Sequence, residues 1–306
     1  MPDGPRSASS VVAAKSDAMS DETWLTETLY PSVQIRYQVT KVLRREGTGQ
    51  QELVLFENPQ LGRMLMLDGI TQLTLKDEFV YHEMLTHVPS LAHGAVKSVL
   101  IIGGGDGGVA RETLRHSSVQ RLVQVEIDAS VTEFSSAYLP EVSAGAFEDP
   151  RFELQIADGA RFVAETPERF DLIIVDSTDP IGPGAVLFTA EFYAACHGAL
   201  TPGGVLVTQN GVPFTQADEL RQSCRHFRAS FADAWAYRAT VPTYVLGEMA
   251  LGWASDNPDL RRVPVDVLES RYRQAGLAGG TRYYAPDVHI GAFALPPYIK
   301  DLVEDS

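Results

Sequence analysis

The segment that decides the fold reads VLIIGGGDGG and occupies residues 99–108. Its apolar start predicts a buried strand, and its glycines predict a tight turn that opens a helix. The glycines satisfy the GxGxxG pattern, and Glu126 closes the next predicted strand about 20 residues further on. An acid at that place accepts a ribose hydroxyl in Rossmann-type sites, so this spacing alone favours a dinucleotide such as NAD(P).

Asp106, inside the glycine turn, argues against a dinucleotide. A pyrophosphate would lie against the backbone N–H groups of this turn, where a carboxylate would repel it. A cationic nucleoside without phosphate, such as a sulfonium nucleoside, would suit the turn better. The alternative is that Asp106 simply caps the helix, because Asp is a frequent capping residue.

On the C-terminal side of about residue 78, predicted strands alternate with predicted helices, which is typical of a doubly wound parallel sheet. Strands are predicted at residues 98–102, 121–126, 152–156, 170–175 and 204–208, with β-rich runs at 232–240 and 249–254. Helices are predicted near residues 108–116, 129–139, 160–165, 189–200 and 265–275, and short strands after the last of them. The predicted fold class is α/β, with a Rossmann-like, methyltransferase-type sheet over residues 78–306.

The segment before this sheet has a different rhythm. Apolar runs at residues 64–67 and 70–73 flank Asp68-Gly69, which is a strong hairpin signal. With a further strand at residues 33–43, we expect a small antiparallel β domain over residues 21–77. Residues 1–20 are rich in Ser, Ala, Pro and Gly without an apolar core, which predicts a flexible tail rather than a secretory signal.

Composition narrows the class of protein. With 44% hydrophobic and 21% charged residues and no apolar run near the roughly 18 residues that cross a bilayer, we expect a soluble protein without a membrane role. Cys196 and Cys224 have no ligand-like spacing, which argues against structural zinc and favours a reducing cytoplasm. The net charge of -15 disfavours nucleic acid and weakly favours cationic partners, although an acidic balance can simply maintain solubility.

Further acids follow the predicted strands. Asp158-Gly159 follows the third strand, and Asp176 and Asp179 follow the fourth, ahead of a Pro/Gly loop long enough to fold over a site. Helix capping or an acidic turn is the alternative for each. Because acids gathered at one sheet edge repel one another, we expect a cation among them. A metal ion is one candidate, but no His ligand lies beside the loop, so we predict an organic polycation.

These blocks together resemble the polyamine aminopropyltransferase family, and within it the bacterial spermidine synthases. The resemblance runs from about Trp24 to the C-terminus. It is carried by LDG at 67–69, DEFVYHEM at 77–84, IIGGGDGG at 101–108, EID at 126–128, DG at 158–159, DSTDPIGP at 176–183 and PTY at 242–244.

The resemblance implies transfer of an aminopropyl group from decarboxylated S-adenosylmethionine to putrescine, giving spermidine and 5'-methylthioadenosine. The nucleoside is then a co-substrate, with no prosthetic group or metal, and a homodimer or homotetramer is implied. Val245-Leu246-Gly247 replaces the small Gly-containing turn usual in the family, so cadaverine, agmatine or spermidine stay open as acceptors.

The resemblance also implies residue roles. Asp176 would accept the proton, helped by Tyr81. The implied nucleoside contacts are Gln51, Asp106, Glu126, Asp158, Gly159 and Pro183. The implied contacts to the polyamine or aminopropyl part are His82, Asp106, Asp176, Asp179, Gln209 and Tyr244.

Two other functions stay open on the sequence. An S-adenosylmethionine-dependent methyltransferase shares this sheet, but its ligand carries a carboxylate that would approach Asp106. A non-catalytic polyamine-binding protein would keep the acidic site without needing a proton acceptor.

Overall fold

Antiparallel strands form the first part of the molecule. The computed structural model describes residues 23–47, 51–180 and 182–305, so the predicted tail at residues 1–20 lies outside it. The N-terminal strands are β1 (Thr23–Tyr30), β2 (Val33–Val39), β3 (Lys41–Gly47), β4 (Glu52–Asn58), β5 (Gly62–Leu67) and β6 (Ile70–Thr74). β1 pairs with β2 in a small sheet, and β3 to β6 form a four-stranded meander.

The predicted hairpin is confirmed. Leu67 pairs with Ile70, and the two residues between them, Asp68 and Gly69, have positive φ values of 49° and 78°. Two consecutive left-handed residues make the turn type that suits the twist of a hairpin, and Asp-Gly tolerates them.

The single strand predicted at residues 33–43 is wrong. The chain leaves one sheet at Thr40 and enters the other, so β2 pairs with β1 whereas β3 pairs with β4. The backbone N–H and the hydroxyl of Thr40 both donate to the carbonyl of Glu57 (2.9 and 3.0 Å), which holds the crossing point.

The second part of the molecule is built on a seven-stranded sheet. Its strands are β7 (Ser98–Gly103), β8 (Arg121–Glu126), β9 (Phe152–Ile156), β10 (Phe170–Asp176), β11 (Leu200–Gln209), β12 (Asp233–Ala239) and β13 (Met249–Ser255). The helices are α1 (Glu78–His93), α2 (Gly108–Leu114), α3 (Ala129–Tyr138), α4 (Pro140–Ser143), α5 (Gly159–Glu165), α6 (Ala190–Ala199), α7 (Ala217–Ser230), α8 (Val265–Gln274), α9 (Pro286–Ala292) and α10 (Pro297–Glu304). Short 3-10 helices lie at Ala146–Glu148, Gly182–Phe188 and Leu260–Arg262.

The order of strands places a cleft at the middle of the sheet. Across the sheet the order is β12-β13-β11-β10-β7-β8-β9. The strands from β11 to β9 are parallel, and β13 runs antiparallel to both of its neighbours, β11 and β12. The chain runs outward from β7 to β9 and then returns to β10 beside β7. Ligands of open α/β sheets bind where the strand order reverses in this way, outside the carboxyl ends of the strands.

Two apolar cores cover the two faces of the sheet. On β10, Leu172 and Ile174 face the core that contains α1 and α8, whereas Ile173 and Val175 face the core that contains α6 and α7. All four side chains are buried. A strand covered on both faces reads as a continuous apolar run, which is why β10 is recognisable in sequence.

The predicted fold class is confirmed, but the short C-terminal strands are wrong. The chain ends in α9 and α10 instead, and each begins with Pro in its first turn, where the missing N–H costs nothing. α10 buries Ile299 and Val303, four residues apart, against the side of the sheet covered by α7. None of the helices in the described ranges is long and apolar enough to cross a bilayer.

Candidate active site

An acidic cavity of about 370 Å³ opens at the switch point between β7 and β10, beneath the N-terminal strands. Neither Lys nor Arg occurs among the described residues that line it. The acids on its wall are Glu27, Asp68, Asp77, Glu78, Asp106, Glu126, Asp158, Asp176 and Asp179. Such a cavity favours a cationic ligand.

The glycine turn lets the ends of β7 and β10 approach closely. Gly103 has φ +85°, and a Cβ there would lie 2.1 Å from the carbonyl oxygen of Asp176. The N–H of Gly104 donates to that same oxygen at 2.9 Å. Only glycine fits at residue 103, and this close approach holds the end of β10, with Asp176, against the glycine turn at the cavity wall.

Asp106 accepts a hydrogen bond at the start of α2 and also lines the cavity. Its Oδ1 accepts the N–H of Gly108 at 2.7 Å, and its Oδ2 lies 3.4 Å from Nε2 of His82. Gly107 and not Asp106 is the N-cap of α2, so the capping alternative holds only in that Oδ1 of Asp106 accepts the first N–H of the helix, while Oδ2 faces His82.

Asp176 is the most perturbed acid on the cavity wall. Its Oδ1 accepts the hydroxyl of Tyr81 at 2.6 Å, and its buried Oδ2 has no hydrogen-bond partner among the described residues. Burial, followed by the negative charge of Asp106, raises the pKa of Asp176 to about 7, against the opposing effects of His82 and Tyr81. Such a carboxyl exchanges a proton near neutral pH.

Two buried tyrosines stand beside this carboxyl. The rings of Tyr81 and Tyr244 lie 6.0 Å apart at 90°, and the Tyr244 hydroxyl donates to the carbonyl of Gln72 at 2.5 Å. Asp77 accepts the N–H of Thr243 at 2.7 Å, which ties the loop that carries Tyr244 to the start of α1. Burial raises the pKa of both phenols well above the usual value, so they are neutral hydrogen-bond donors.

A second group of polar side chains lies further along the cavity. Burial raises the pKa of Asp179, while hydrogen bonds from Gln216 and Gln209 oppose that change. Glu27 on β1 is 6% exposed and accepts the hydroxyl of Thr71 at 2.6 Å, and burial raises its pKa as well.

The opposite end of the cavity has the features of a nucleoside site. Glu126, at the end of β8, accepts the N–H of Asp128 at 3.0 Å, and burial raises its pKa. Gln51 donates to Asp128 at 3.3 Å. Asp158 caps α5 by accepting the N–H groups of residues 160 and 161, and a Cβ on Gly159 would lie 2.4 Å from Ile102.

His82 is a buried cation between two carboxylates. Its Nδ1 lies 2.6 Å from Glu78, and its Nε2 faces Asp106. Burial lowers the pKa of the imidazole, but Asp106 and Glu78 outweigh it and raise the pKa to about 10.

The predicted site residues meet in this one cavity. All of those with described side chains line it: Gln51, Tyr81, His82, Asp106, Glu126, Asp158, Gly159, Asp176, Asp179, Gln209 and Tyr244. The side chain of Pro183 lies outside the described part, although Gly184 and Val186 beside it line the cavity. Their individual roles stay predictions.

Sequence reasoning missed Glu27, Gln72 and Gln216, which also line the cavity. No local pattern marks Glu27, because β1 lies far from the glycine turn in sequence. Glu78 belongs to the DEFVYHEM block, and its place one helical turn before His82 was a usable signal.

Sequence comparison finds two matching family models and close relatives. The spermine/spermidine synthase domain matches residues 78–263, and the spermidine synthase tetramerisation domain matches residues 23–74. The chain is 54% identical over 277 residues to polyamine aminopropyltransferase 1 of Pseudomonas aeruginosa, covering 90% of this chain and 96% of that protein. It is 55% identical over 284 residues to the polyamine aminopropyltransferase of Ruegeria sp., covering 93% of this chain and 99% of that protein.

Structure comparison agrees. A spermidine synthase solved in complex with the transition-state analogue AdoDATO matches with a TM-score of 0.87 and 38% identity, covering 93% of this chain and 96% of that one. The spermidine synthase of Thermotoga maritima matches with a TM-score of 0.84 and 37% identity, covering 92% and 94%. The likeness in sequence and in fold spans nearly the whole chain.

Proposed function

Because this chain belongs to the spermine/spermidine synthase family of polyamine aminopropyltransferases, we propose that it transfers the aminopropyl group of decarboxylated S-adenosylmethionine to putrescine. The products are spermidine and 5'-methylthioadenosine. The observation that carries the proposal is Asp176, a carboxyl in an acidic cavity with a pKa of about 7 and one oxygen that has no hydrogen-bond partner among the described residues.

The glycine turn and its neighbours suit the nucleoside. Glu126 and Asp158 lie at the carboxyl ends of β8 and β9, where a ribose and an adenine amino group have acceptors. The related spermidine synthase bound to AdoDATO supports the same class of co-substrate. Asp106 disfavours intact S-adenosylmethionine, because the carboxylate of that ligand would approach a like charge.

Proton removal is the energetic problem of the reaction. An alkylammonium has a pKa near 10.4, and an ordinary Asp at about 3.9 is some six units too weak a base, equivalent to roughly 8 to 9 kcal/mol. With Asp176 at about 7, the gap falls to about three and a half units, or roughly 5 kcal/mol. Positioning of nitrogen against carbon supplies the remainder.

The proposed step is an in-line displacement. The amine nitrogen attacks the aminopropyl carbon bonded to the sulfonium, the carbon–sulfur bond breaks, and its electron pair stays on sulfur as a neutral thioether. The proton leaving the nitrogen passes to Asp176, whose Oδ2 is available while Tyr81 binds Oδ1. Asp179 and Gln209 bind the far ammonium of the diamine.

Two matching solved structures are spermidine synthases, which favours putrescine as the acceptor. A diamine would place one nitrogen at Asp176 and the other at Asp179. Cadaverine, agmatine and spermidine are the competing acceptors. A panel of the four amines, followed by mass spectrometry of 5'-methylthioadenosine, tests the choice. A higher kcat/KM for another amine would identify that amine as the acceptor in place of putrescine. Absence of product with all four amines would overturn the transferase function.

We also propose a homo-oligomer that assembles through the N-terminal strands, with residues 21–77 and 78–306 as separate domains. The match of residues 23–74 to a tetramerisation domain supports this proposal. Light scattering during size-exclusion chromatography tests it, and a monomeric mass at micromolar concentration would refute it.

A further inference from the structure

A charge network of buried side chains runs from the cavity into the interface between α1 and α2. It begins with Asp106 and His82, continues with Glu78 at 2.6 Å from the imidazole, and passes to Arg111, whose Nη2 lies 2.9 Å from Glu78. The side chains of His82, Glu78 and Arg111 are 2%, 10% and 16% exposed. Negative and positive groups alternate along this charge network, so each charged group contacts one of opposite sign.

The charge network continues to the far side of α2. Arg111 Nε contacts Glu112 at 2.8 Å, and Glu112 also contacts Arg115 at 2.6 Å and His87 at 3.0 Å. Although burial raises the pKa of Glu112, His87, Arg111 and Arg115 outweigh it and lower that pKa. Arg111 is therefore held between two carboxylates, and it in turn holds Glu78 against the imidazole.

The His82 ring has little freedom to move within the charge network. Gly108 on α2 leaves the room that the ring occupies, since a Cβ there would lie 2.2 Å from Cε1 of His82. The Tyr81 ring packs edge-on at 5.5 Å. Nδ1 is within hydrogen-bond distance of Glu78 and Nε2 lies 3.4 Å from a carboxylate oxygen of Asp106, an arrangement that suits an imidazolium with a proton on each nitrogen.

We propose that Glu78, held by Arg111, is a positioning residue that keeps His82 as a buried imidazolium against Asp106, and that this cation allows Asp106 and Asp176 to share one small cavity. The role in turnover rests on the proposed function above, whereas the state of the imidazole does not.

Glu78 decides the protonation state of His82 because the other carboxylate, Asp106, makes further contacts. Asp106 also accepts the N–H of Gly108 at the start of α2 and lines the cavity, where a bound ammonium would compete for it. The ionisable groups that face His82 come from its own helix, the glycine turn, α2 and the end of β10, and they are Glu78, Tyr81, Asp106, Arg111 and Asp176.

The imidazolium also adjusts Asp176. The negative charge of Asp106 raises the pKa of Asp176, and the positive charge of His82 lowers it. Neutral His82 would leave the repulsion between the two aspartates unopposed. The pKa of Asp176 would then rise above about 7, and less of the proton acceptor would be ionised at neutral pH.

The direct test is histidine NMR on Glu78→Gln. Selective ring labelling gives a small spectrum, because the chain has 7 histidines, and His82→Gln assigns the His82 signal. In the wild-type protein we expect the His82 ring to stay protonated from pH 6 to about 9, below its pKa of about 10. In Glu78→Gln the ring should lose its proton within that window.

The second test is the pH profile of kcat/KM for aminopropyl transfer. In Glu78→Gln, the acid limb of the profile should move to higher pH by about one unit, provided that His82 is neutral over that pH range. His82→Gln should shift the limb in the same direction while leaving the pair between Glu78 and Arg111 intact, which guards against a folding defect in the first variant. Glu165→Gln, on an exposed helical pair, is the matched control and should leave both readouts unchanged.

A His82 signal in Glu78→Gln that stays protonated through pH 9 would overturn the proposal, even if the enzyme is active. So would an acid limb that stays in place, or moves downward, in both variants. If the wild-type protein forms no 5'-methylthioadenosine, the proposed function fails, but the NMR test still decides the state of His82.

Discussion

Removing one hydroxyl group should move the pH optimum of this enzyme. Tyr81 donates to Oδ1 of Asp176 at 2.6 Å, and this hydrogen bond stabilises the ionised carboxyl. Tyr81→Phe deletes the donor but keeps the ring that packs against Tyr244. The pKa of Asp176 should therefore rise, because the charged form loses a hydrogen bond that the neutral form needs less.

The size of the change follows from the strength of the bond. Hydrogen bonds to charged groups contribute about 1.5 to 3 kcal/mol, which corresponds to about one to two pKa units. From a starting pKa of about 7, the carboxyl is about half ionised at pH 7, and in the variant about one-tenth to one-hundredth. We expect kcat/KM at pH 7 to fall by roughly 5- to 50-fold and to recover by about pH 10.

The assay is 5'-methylthioadenosine formation between pH 6 and 10, with saturating and limiting amine. Tyr138→Phe, on α3 away from the cavity, is the matched control and should keep the wild-type profile. An acid limb at the same pH in Tyr81→Phe and in the wild type would refute the reasoning. A loss of the same size at every pH would show that Tyr81 acts through binding and not through the ionisation of Asp176.

Three further substitutions test the roles of individual aspartates. Asp176→Asn should lower kcat by about 10²- to 10⁴-fold while calorimetry finds 5'-methylthioadenosine binding within a few-fold of wild type, and unchanged turnover would remove Asp176 as the proton acceptor. Asp179→Asn should raise KM for putrescine more than KM for decarboxylated S-adenosylmethionine, and equal effects on both would contradict its role as the amine anchor. Asp106→Asn should narrow the difference in affinity between decarboxylated and intact S-adenosylmethionine, and a preference equal to that of the wild type would remove Asp106 as its source.

Much of the sheet is recognisable in sequence because its signals are local. β8 and β9 have the bounds that the sequence predicts. β8 is buried over residues 122–126 and reads as a mostly apolar run, whereas β9 lies at the sheet edge and alternates apolar and polar residues. Both patterns are local. The turn at Asp68-Gly69 is equally local, because two left-handed residues in a row demand that composition. The four aspartates after the strands were likewise predictable as neighbours, because parallel strands present their carboxyl ends at one edge.

Other elements lack such signals. The C-terminal strands were mispredicted although Ile299 and Val303 have the four-residue spacing of a helix, because a helix of 8 residues is stable only when it packs against a surface. The predicted strand at residues 33–43 carries no mark of its division, since two sheets compete for it and the choice depends on partners elsewhere in the chain.

The kind of site can be read from the order of residues: a glycine turn with an acid in it, and carboxylates at the strand ends of one sheet. How those acids differ depends on the tertiary structure. It brings Glu27 from β1 to the cavity wall and sets His82 between two carboxylates. It also leaves Oδ2 of Asp176 without a hydrogen-bond partner in the described part of the chain. The physical reason is that a pKa depends on burial and on charges nearby in space, and neither can be read from the order of residues.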